Sequence, residues 1–197
     1  MQNFTIEEVK NFLKTLNYKL ISKKYINVRE KLILKDKLGY YYVISLDSLK
    51  SGSIPSKIEK RNPYTSQNIK LWLKLNKKSF ELISDKYEDA DQKLKWKCSK
   101  SSCGESFEST WASISQDGGC SYCRGFKVGK SNCLANKNPN LAKQWHPIKN
   151  GCLTSFDVTC GSNKKIWWKC ENEHEWEARV DSRNSGSGCR TCNNMKG

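Results

Sequence analysis

The chain has 197 residues, 37% of them hydrophobic and 28% charged, with ten cysteines, seven tryptophans and a formal net charge of +15. That composition is thin for one large apolar core, and the cation excess points to polyanionic partners. The opening MQNFTIEEVK has neither the basic nor the apolar region of a signal peptide, and no apolar run is long enough for a membrane-crossing helix.

In chain order, Thr5 and Glu8 form a capping box and Phe4 with Val9 a hydrophobic staple. Val9, Phe12, Leu13 and Leu16 then make an apolar stripe, so a helix is predicted from Thr5 with its exit at Asn17. Leu32 with Leu34, and Tyr40 with Tyr42 and Ile44, alternate as in strands, and Lys37-Leu38-Gly39 supplies the turn between them. A second helix is predicted from Thr65, where Ile69, Trp72 and Leu73 replace Val9, Phe12 and Leu13. Beyond it Leu82-Ile83-Ser84, Tyr87 and Lys93-Leu94 repeat Leu20-Ile21-Ser22, Tyr25 and Lys31-Leu32 at a constant offset.

The later copy carries what the earlier one lacks. Cys98 and Cys103 form one short pair, and Cys120 with Cys123 a C-x-x-C after Gly118-Gly119. Two tight cysteine pairs separated by a hairpin's length have the spacing of a tetrahedral zinc site. Near the C-terminus Cys170 and His174, then Cys189 and Cys192, repeat the pattern. Disulfides would need an oxidising compartment, so thiolate-bound zinc in a reducing cytoplasm is the better fit, with two zinc ions per chain in a structural role. Asp36 stands where Cys98 stands, and nothing in the first copy replaces the C-x-x-C.

The expected organisation is therefore α+β: small tandem repeats of helix plus β-hairpin, two of them zinc ribbons or treble clefs and the first metal-free. Pro63 and the basic stretch at 125–131 set the boundaries, giving segments 1–62, 63–124 and 125–197. In each ribbon a strand (Lys93–Cys98 or Lys165–Cys170) delivers a cysteine and a knuckle adds Cys103 or His174. A hairpin follows, about Ser106–Ile114 or Trp176–Ser182, and a Gly-rich turn presents the last pair near a helical turn. In the third segment a short helix is expected over Pro139–Trp145, broken by Pro147. Trp96, Trp168 and Trp176 are read as cover for the small cores. Cys133, Cys152 and Cys160 lack any tight pair and are read as buried or incidental thiols, and His146 as a packed or hydrogen-bonded core residue rather than a ligand or base.

Basic side chains gather on the ribbons. Lys93, Lys95 and Lys97 alternate along one strand face, with Lys164, Lys165 and Lys169 near the equivalent strand. Arg124, Lys127 and Lys130 follow the first C-x-x-C, and Arg179, Arg183 and Arg190 surround the second. Such side chains on rigid ribbons can follow a phosphate backbone, and the dominance of lysine over arginine favours phosphate contact over base readout. Catalytic signatures are absent: there is no phosphate loop, G-x-S-x-G or H-E-x-x-H, and the acidic run Glu171, Glu173, Glu175, Glu177 and Asp181 reads as a solvated hairpin face. A non-enzymatic protein is expected.

The segment NPNLAKQWHPIKNG, followed by GSNKKIWWKC, HEWEARV and GCRTC, resembles the zinc-ribbon (treble-clef) repeat domains of bacteria and their phages, over about 132–192. The resemblance implies Cys170, His174, Cys189 and Cys192 as metal ligands and association with DNA-acting proteins. Together these readings lead to a zinc-binding, basic nucleic-acid-binding protein of phage or mobile-element type, its partner DNA and its place the bacterial cytoplasm. The alternatives are a protein-binding adaptor or phage-encoded inhibitor of a host enzyme, and a divergent nuclease.

Overall fold

Thr5 opens the first helix with a closed capping box: its hydroxyl accepts the Glu8 N–H at 3.2 Å, and its own N–H reaches the Glu8 carboxylate at 2.7 Å. In the computed structural model, which describes residues 4–195, α1 spans Ile6–Thr15 and buries Val9 and Leu13, with Phe4 and Phe12 against the same core. Leu16 is exposed, so the stripe ends before it. The exit at Asn17 is as expected, with φ at +62°, a left-handed residue that stops the helix.

Strands β1 (Lys19–Leu20), β2 (Lys31–Lys35) and β3 (Tyr41–Ser45) form an antiparallel sheet in that order. Leu32 faces Ile44 and Leu34 faces Tyr42, so one face of the sheet is apolar. Together with α1 and α2 (Leu46–Lys50) it closes a core of Val9, Leu13, Leu32, Leu34, Ile44 and Leu46. Helix α3 (Thr65–Leu75) adds Leu71 and Trp72 to this core. Its Asn68 is fully buried, accepting from the Tyr41 N–H at 2.9 Å and donating to the carbonyls of Tyr41 and Lys57 at 2.6 Å each. A buried amide with its groups satisfied in this way pins the helix to the edge of β3.

The second sheet has the order β4 (Phe80–Leu82), β5 (Lys93–Cys98), β6 (Ser106–Thr110) and leads into α4 (Trp111–Ser115). Along β5, Leu94, Trp96 and Cys98 are buried while Lys93, Lys95 and Lys97 are exposed. Trp96 sits edge-on to Phe80 at 5.8 Å and donates its indole N–H to the Ser109 carbonyl at 2.9 Å.

After α5 (Leu134–Lys137) and α6 (Pro139–Ala142), β7 (Lys165–Lys169) and β8 (Glu175–Arg179) pair antiparallel with Trp168 opposite Trp176. Helices α7 (Val180–Asn184) and α8 (Arg190–Asn194) follow. Leu134, Leu141, Val158, Ile166, Trp168 and Val180 form the core, with Trp145 and Trp176 against it.

Three element boundaries differ from the sequence expectation. The hairpin expected to reach Ile114 ends at Thr110, because the Thr110 hydroxyl accepts the Ser113 N–H and caps α4. The one expected to reach Ser182 ends at Arg179, where α7 begins. The helix expected to reach Trp145 stops at Ala142, because the chain at Gln144–His146 turns extended and bonds along β7: Lys169 N–H to Gln144 O at 2.8 Å, His146 N–H to Trp167 O at 3.0 Å.

Individual hydrogen bonds recur along the chain. The Ser22 hydroxyl accepts the Ile33 N–H at 2.8 Å, and the Ser84 hydroxyl accepts the Lys95 N–H at 2.8 Å. Asn27 accepts from Arg29 and Glu30 as Asp89 accepts from Asp91 and Gln92. Where β5 ends in a cysteine knuckle, β2 is followed by Asp36, whose carboxylate takes the N–H groups of Gly39 and Tyr40 and the Tyr42 hydroxyl at 2.8–2.9 Å. Burial and this carboxylate together hold the Tyr42 phenol well above its usual range.

The chain divides into two compact units. One comprises the chain up to Lys97 with Glu108–Gly118, the other Cys98–Phe107 with the chain from Gly119 onward. Both cysteine clusters thus belong to the second unit. Replacing Asn68 with Leu keeps the volume but strands the Tyr41 N–H and leaves the Tyr41 and Lys57 carbonyls with the Asn62 amide alone. The expected loss is about 1–3 kcal/mol, seen as an earlier urea transition in near-UV circular dichroism.

Candidate metal centres

The first quartet is assembled by two turns. Cys98 ends β5, and its N–H donates to the Glu105 carbonyl at 2.9 Å, closing the knuckle. Inside it the Cys103 and Gly104 N–H groups both reach the Lys100 carbonyl, at 2.9 and 3.0 Å, and Gly104 has φ +62°. After α4 the chain reverses at Gly118, where an added Cβ would lie 2.5 Å from the Ser113 carbonyl oxygen, so only glycine fits. The next turn, closed by Arg124 N–H to Cys120 O at 3.1 Å, carries Cys120 and Cys123. This pair sits in an isolated turn, without a helix such as α8, which has Cys189 at its N-cap and carries Cys192.

The sulfurs of Cys98 and Cys123 are 3.7 Å apart and those of Cys103 and Cys120 3.8 Å, with all four within 4.8 Å of one another. A disulfide would need about 2.05 Å, and none of the ten cysteines is in a disulfide. Zinc–sulfur bonds of about 2.3 Å in a tetrahedron place sulfurs about 3.8 Å apart, which is the spacing found. Desolvation and the thiols of Cys103, Cys98 and Cys120 push the Cys123 thiol up to about 12. Four thiols this close cannot all ionise against one another, and a bound dication removes that conflict. The Ser131 hydroxyl, 3.6 Å from the Cys103 sulfur, donates to it.

The second quartet repeats the plan. Cys170 N–H donates to His174 O at 3.0 Å, and Glu173 holds φ +64° at the place of Gly104. His174 presents Nδ1, which lies 3.5, 3.2 and 3.6 Å from the sulfurs of Cys170, Cys192 and Cys189. Cys170 and Cys192 are 3.7 Å apart. With a zinc–nitrogen bond of about 2.0 Å these are again tetrahedral edges. Cys189 stands at the N-cap of α8, and the Cys192 backbone N–H draws its thiol down to about 6. The Asn172 amide donates to the Cys192 sulfur at 3.4 Å.

A brace beside His174 escaped the sequence reading. His146 is buried, and its Nδ1 accepts the N–H groups of Ile148 and Lys149 at 3.2 and 3.1 Å. Its proton therefore sits on Nε2, which faces the Glu175 carboxylate at 3.0 Å. Lys149, then His146, hold that carboxyl down at about 2. Asn150 adds a bidentate clamp on Trp167, accepting its N–H at 2.8 Å and donating to its carbonyl at 2.9 Å. Glu175 stands on the exposed face of the hairpin, as expected, with its carboxylate tied down there by His146 and Lys149. Glu173 pairs with Lys169 and Asp181 with Arg179. The W-H-P-x-K-N spacing was the available signal, but no rule of spacing names a carboxylate partner so far along the chain.

Among the basic residues singled out, Lys93, Lys95, Lys97, Arg124, Lys127, Lys130, Lys164, Lys165, Arg179 and Arg190 are exposed and Lys169 half-buried. Arg183 is different: it is buried, donates to Ser187 O and Gln144 Oε1, and lies over the rings of Trp168 and Trp176 at 5.4 and 5.0 Å. It holds the third core together and is not a surface contact. Trp96 and Trp168 are fully buried, as expected of core cover, with Trp176 partly buried against the core that Trp168 fills. Cys133 is buried, Cys160 half-buried and Cys152 exposed; none joins a ligand cluster among the described residues.

Residues 141–195 match a family described as "Probable Treble clef zinc finger domain". The match contains all four residues of the second quartet and stops short of the first, so the likeness to that family is confined to the C-terminal segment. No curated protein matches the chain.

Metal analysis of purified protein is expected to return two zinc ions per chain, one for each quartet. Cys98→Ser and Cys192→Ser should each lower this to one. Cobalt substitution separates the sites, since a sphere of four thiolates and one of three thiolates with an imidazole give different ligand-field bands.

Proposed function

We propose that this chain is a non-catalytic DNA-binding protein made of three copies of one helix-and-hairpin unit, the first metal-free and the others stiffened by structural zinc. Its setting is the cytoplasm of a bacterial cell, and its origin a phage or mobile element, in line with the family resemblance. The observation that carries the reading is the lysine comb of β5. Lys93, Lys95 and Lys97 project from one face because Leu94, Trp96 and Cys98 are locked into the other. Successive teeth stand about 6.8 Å apart, two residues of strand rise, and a rigid row of this kind can lie along a phosphate backbone with little ordering cost.

The equivalent strands support it. Lys31 and Lys35 stand at the ends of β2, and Lys165 and Lys169 at the ends of β7, as Lys93 and Lys97 flank the exposed face of β5. The copy hypothesis rests on the recurring hydrogen bonds and on Asp36 occupying the knuckle position, where its carboxylate orders the turn that metal orders elsewhere. The structural role assigned to zinc rests on the four protein donors in each quartet, which complete a tetrahedron without a water.

Fluorescence anisotropy on a short labelled duplex tests the reading. The wild type should bind with an affinity that falls steeply with salt, and Lys93→Gln, Lys95→Gln and Lys97→Gln should each flatten the slope by about one. If no duplex or single strand binds at low salt and a purified host enzyme does, the chain is an adaptor or inhibitor. Metal-dependent nicking lost on a carboxylate substitution would make it a nuclease.

A further inference from the structure

The loop that leaves the first zinc knuckle presents an aromatic side chain that nothing in the fold uses. Phe126 is 74% exposed, and Val128 beside it 39%. The loop beneath it is held in one shape. Gly125 takes φ +75°, and the N–H groups of Phe126 and Lys127 both donate to the Ser121 carbonyl, at 2.9 and 3.1 Å. From the far side Asn132 donates to the carbonyls of Tyr122 and Lys127 at 2.8 Å each and accepts the Gly129 N–H at 2.8 Å. Cys123, a ligand of the quartet, anchors the base.

The surroundings say what this tip meets. Arg124, Lys127 and Lys130 flank it with no acidic residue between Cys120 and Ser131, and the Glu105 carboxylate at the far end of the loop accepts the Ser131 N–H at 3.2 Å. The Arg124 guanidinium lies over the Phe126 ring at 5.0 Å, which leaves so exposed a ring open to a second stacking partner. A preformed aromatic with cations on both sides is the arrangement that takes a nucleic-acid base on the ring and its phosphates on the flanks.

We propose that Phe126 stacks on an unpaired or unstacked base of DNA while Arg124, Lys127 and Lys130 hold the adjoining phosphates. The proposal rests on the DNA-binding reading above and adds base contact to it. The contact is to the ring face of the base, so it selects for local unstacking rather than for sequence.

The test uses the full zinc-loaded chain and two duplexes, one fully paired and one with a single bulged 2-aminopurine. The wild type should prefer the bulged duplex and quench the probe. Phe126→Ala should lose roughly 5- to 100-fold in affinity for the bulged duplex and abolish the quench, with the salt slope unchanged because a neutral ring releases no counterions. Phe126→Trp should keep both, and Lys127→Gln should lower the slope by about one with the quench retained. Phe126→Ala behaving as wild type on both duplexes would overturn the proposal, as would a wild-type complex with the probe unquenched. So would a wild-type dimer, seen by sedimentation, that Phe126→Ala converts to monomer, since the ring would then belong to self-association. A wild type that binds no DNA removes the broader reading along with this one, whereas DNA binding indifferent to Phe126 removes only this one.

Discussion

Mutual repulsion among crowded thiolates is the constraint around which the second compact unit is arranged. Each quartet draws donors from two turns separated in sequence, and the geometry fits a dication at the centre. The knuckles, the Gly118 reversal and the left-handed Glu173 serve to aim these donors. Around the second site a further ring of contacts fixes the backbone: the His146–Glu175–Lys149 brace, the Asn150 clamp and the buried Arg183 between two tryptophans. Metal and packing are therefore interlocked in that unit.

The first sheet reaches a similar turn by other means. Asp36 receives two backbone N–H groups and a phenol, a set of acceptor duties that a side chain can meet without coordination. Its core is filled by aliphatic and tyrosine side chains contributed mainly by α1, β2, β3 and α2, so apolar burial supports the fold around that turn.

Much of this was legible in the sequence, for definite reasons. The capping box at Thr5, the alternation Leu32/Leu34 against Tyr42/Ile44, and the two ligand quartets each follow from local spacing, which is what one-dimensional patterns report. What escaped were pairings between distant residues. Nothing near Asn68 predicts that it will clamp Tyr41, and nothing near His146 names Glu175. Arg183 looked like a surface cation because charge alone carries no information on burial. Strand lengths were overestimated where Thr110 caps a helix, and the helix from Pro139 was overestimated because Trp145 is apolar enough to continue it but pairs with β7 instead.

Two asparagines that clamp strand edges have a consequence for how such small sheets survive alone. Asn68 occupies both outward-facing backbone groups of Tyr41, and Asn150 does the same to Trp167. An open strand margin invites a neighbouring chain to zip onto it, and fibrillar clumping starts there. At these two places a primary amide impersonates the incoming peptide, so the margin is already taken before any other molecule arrives.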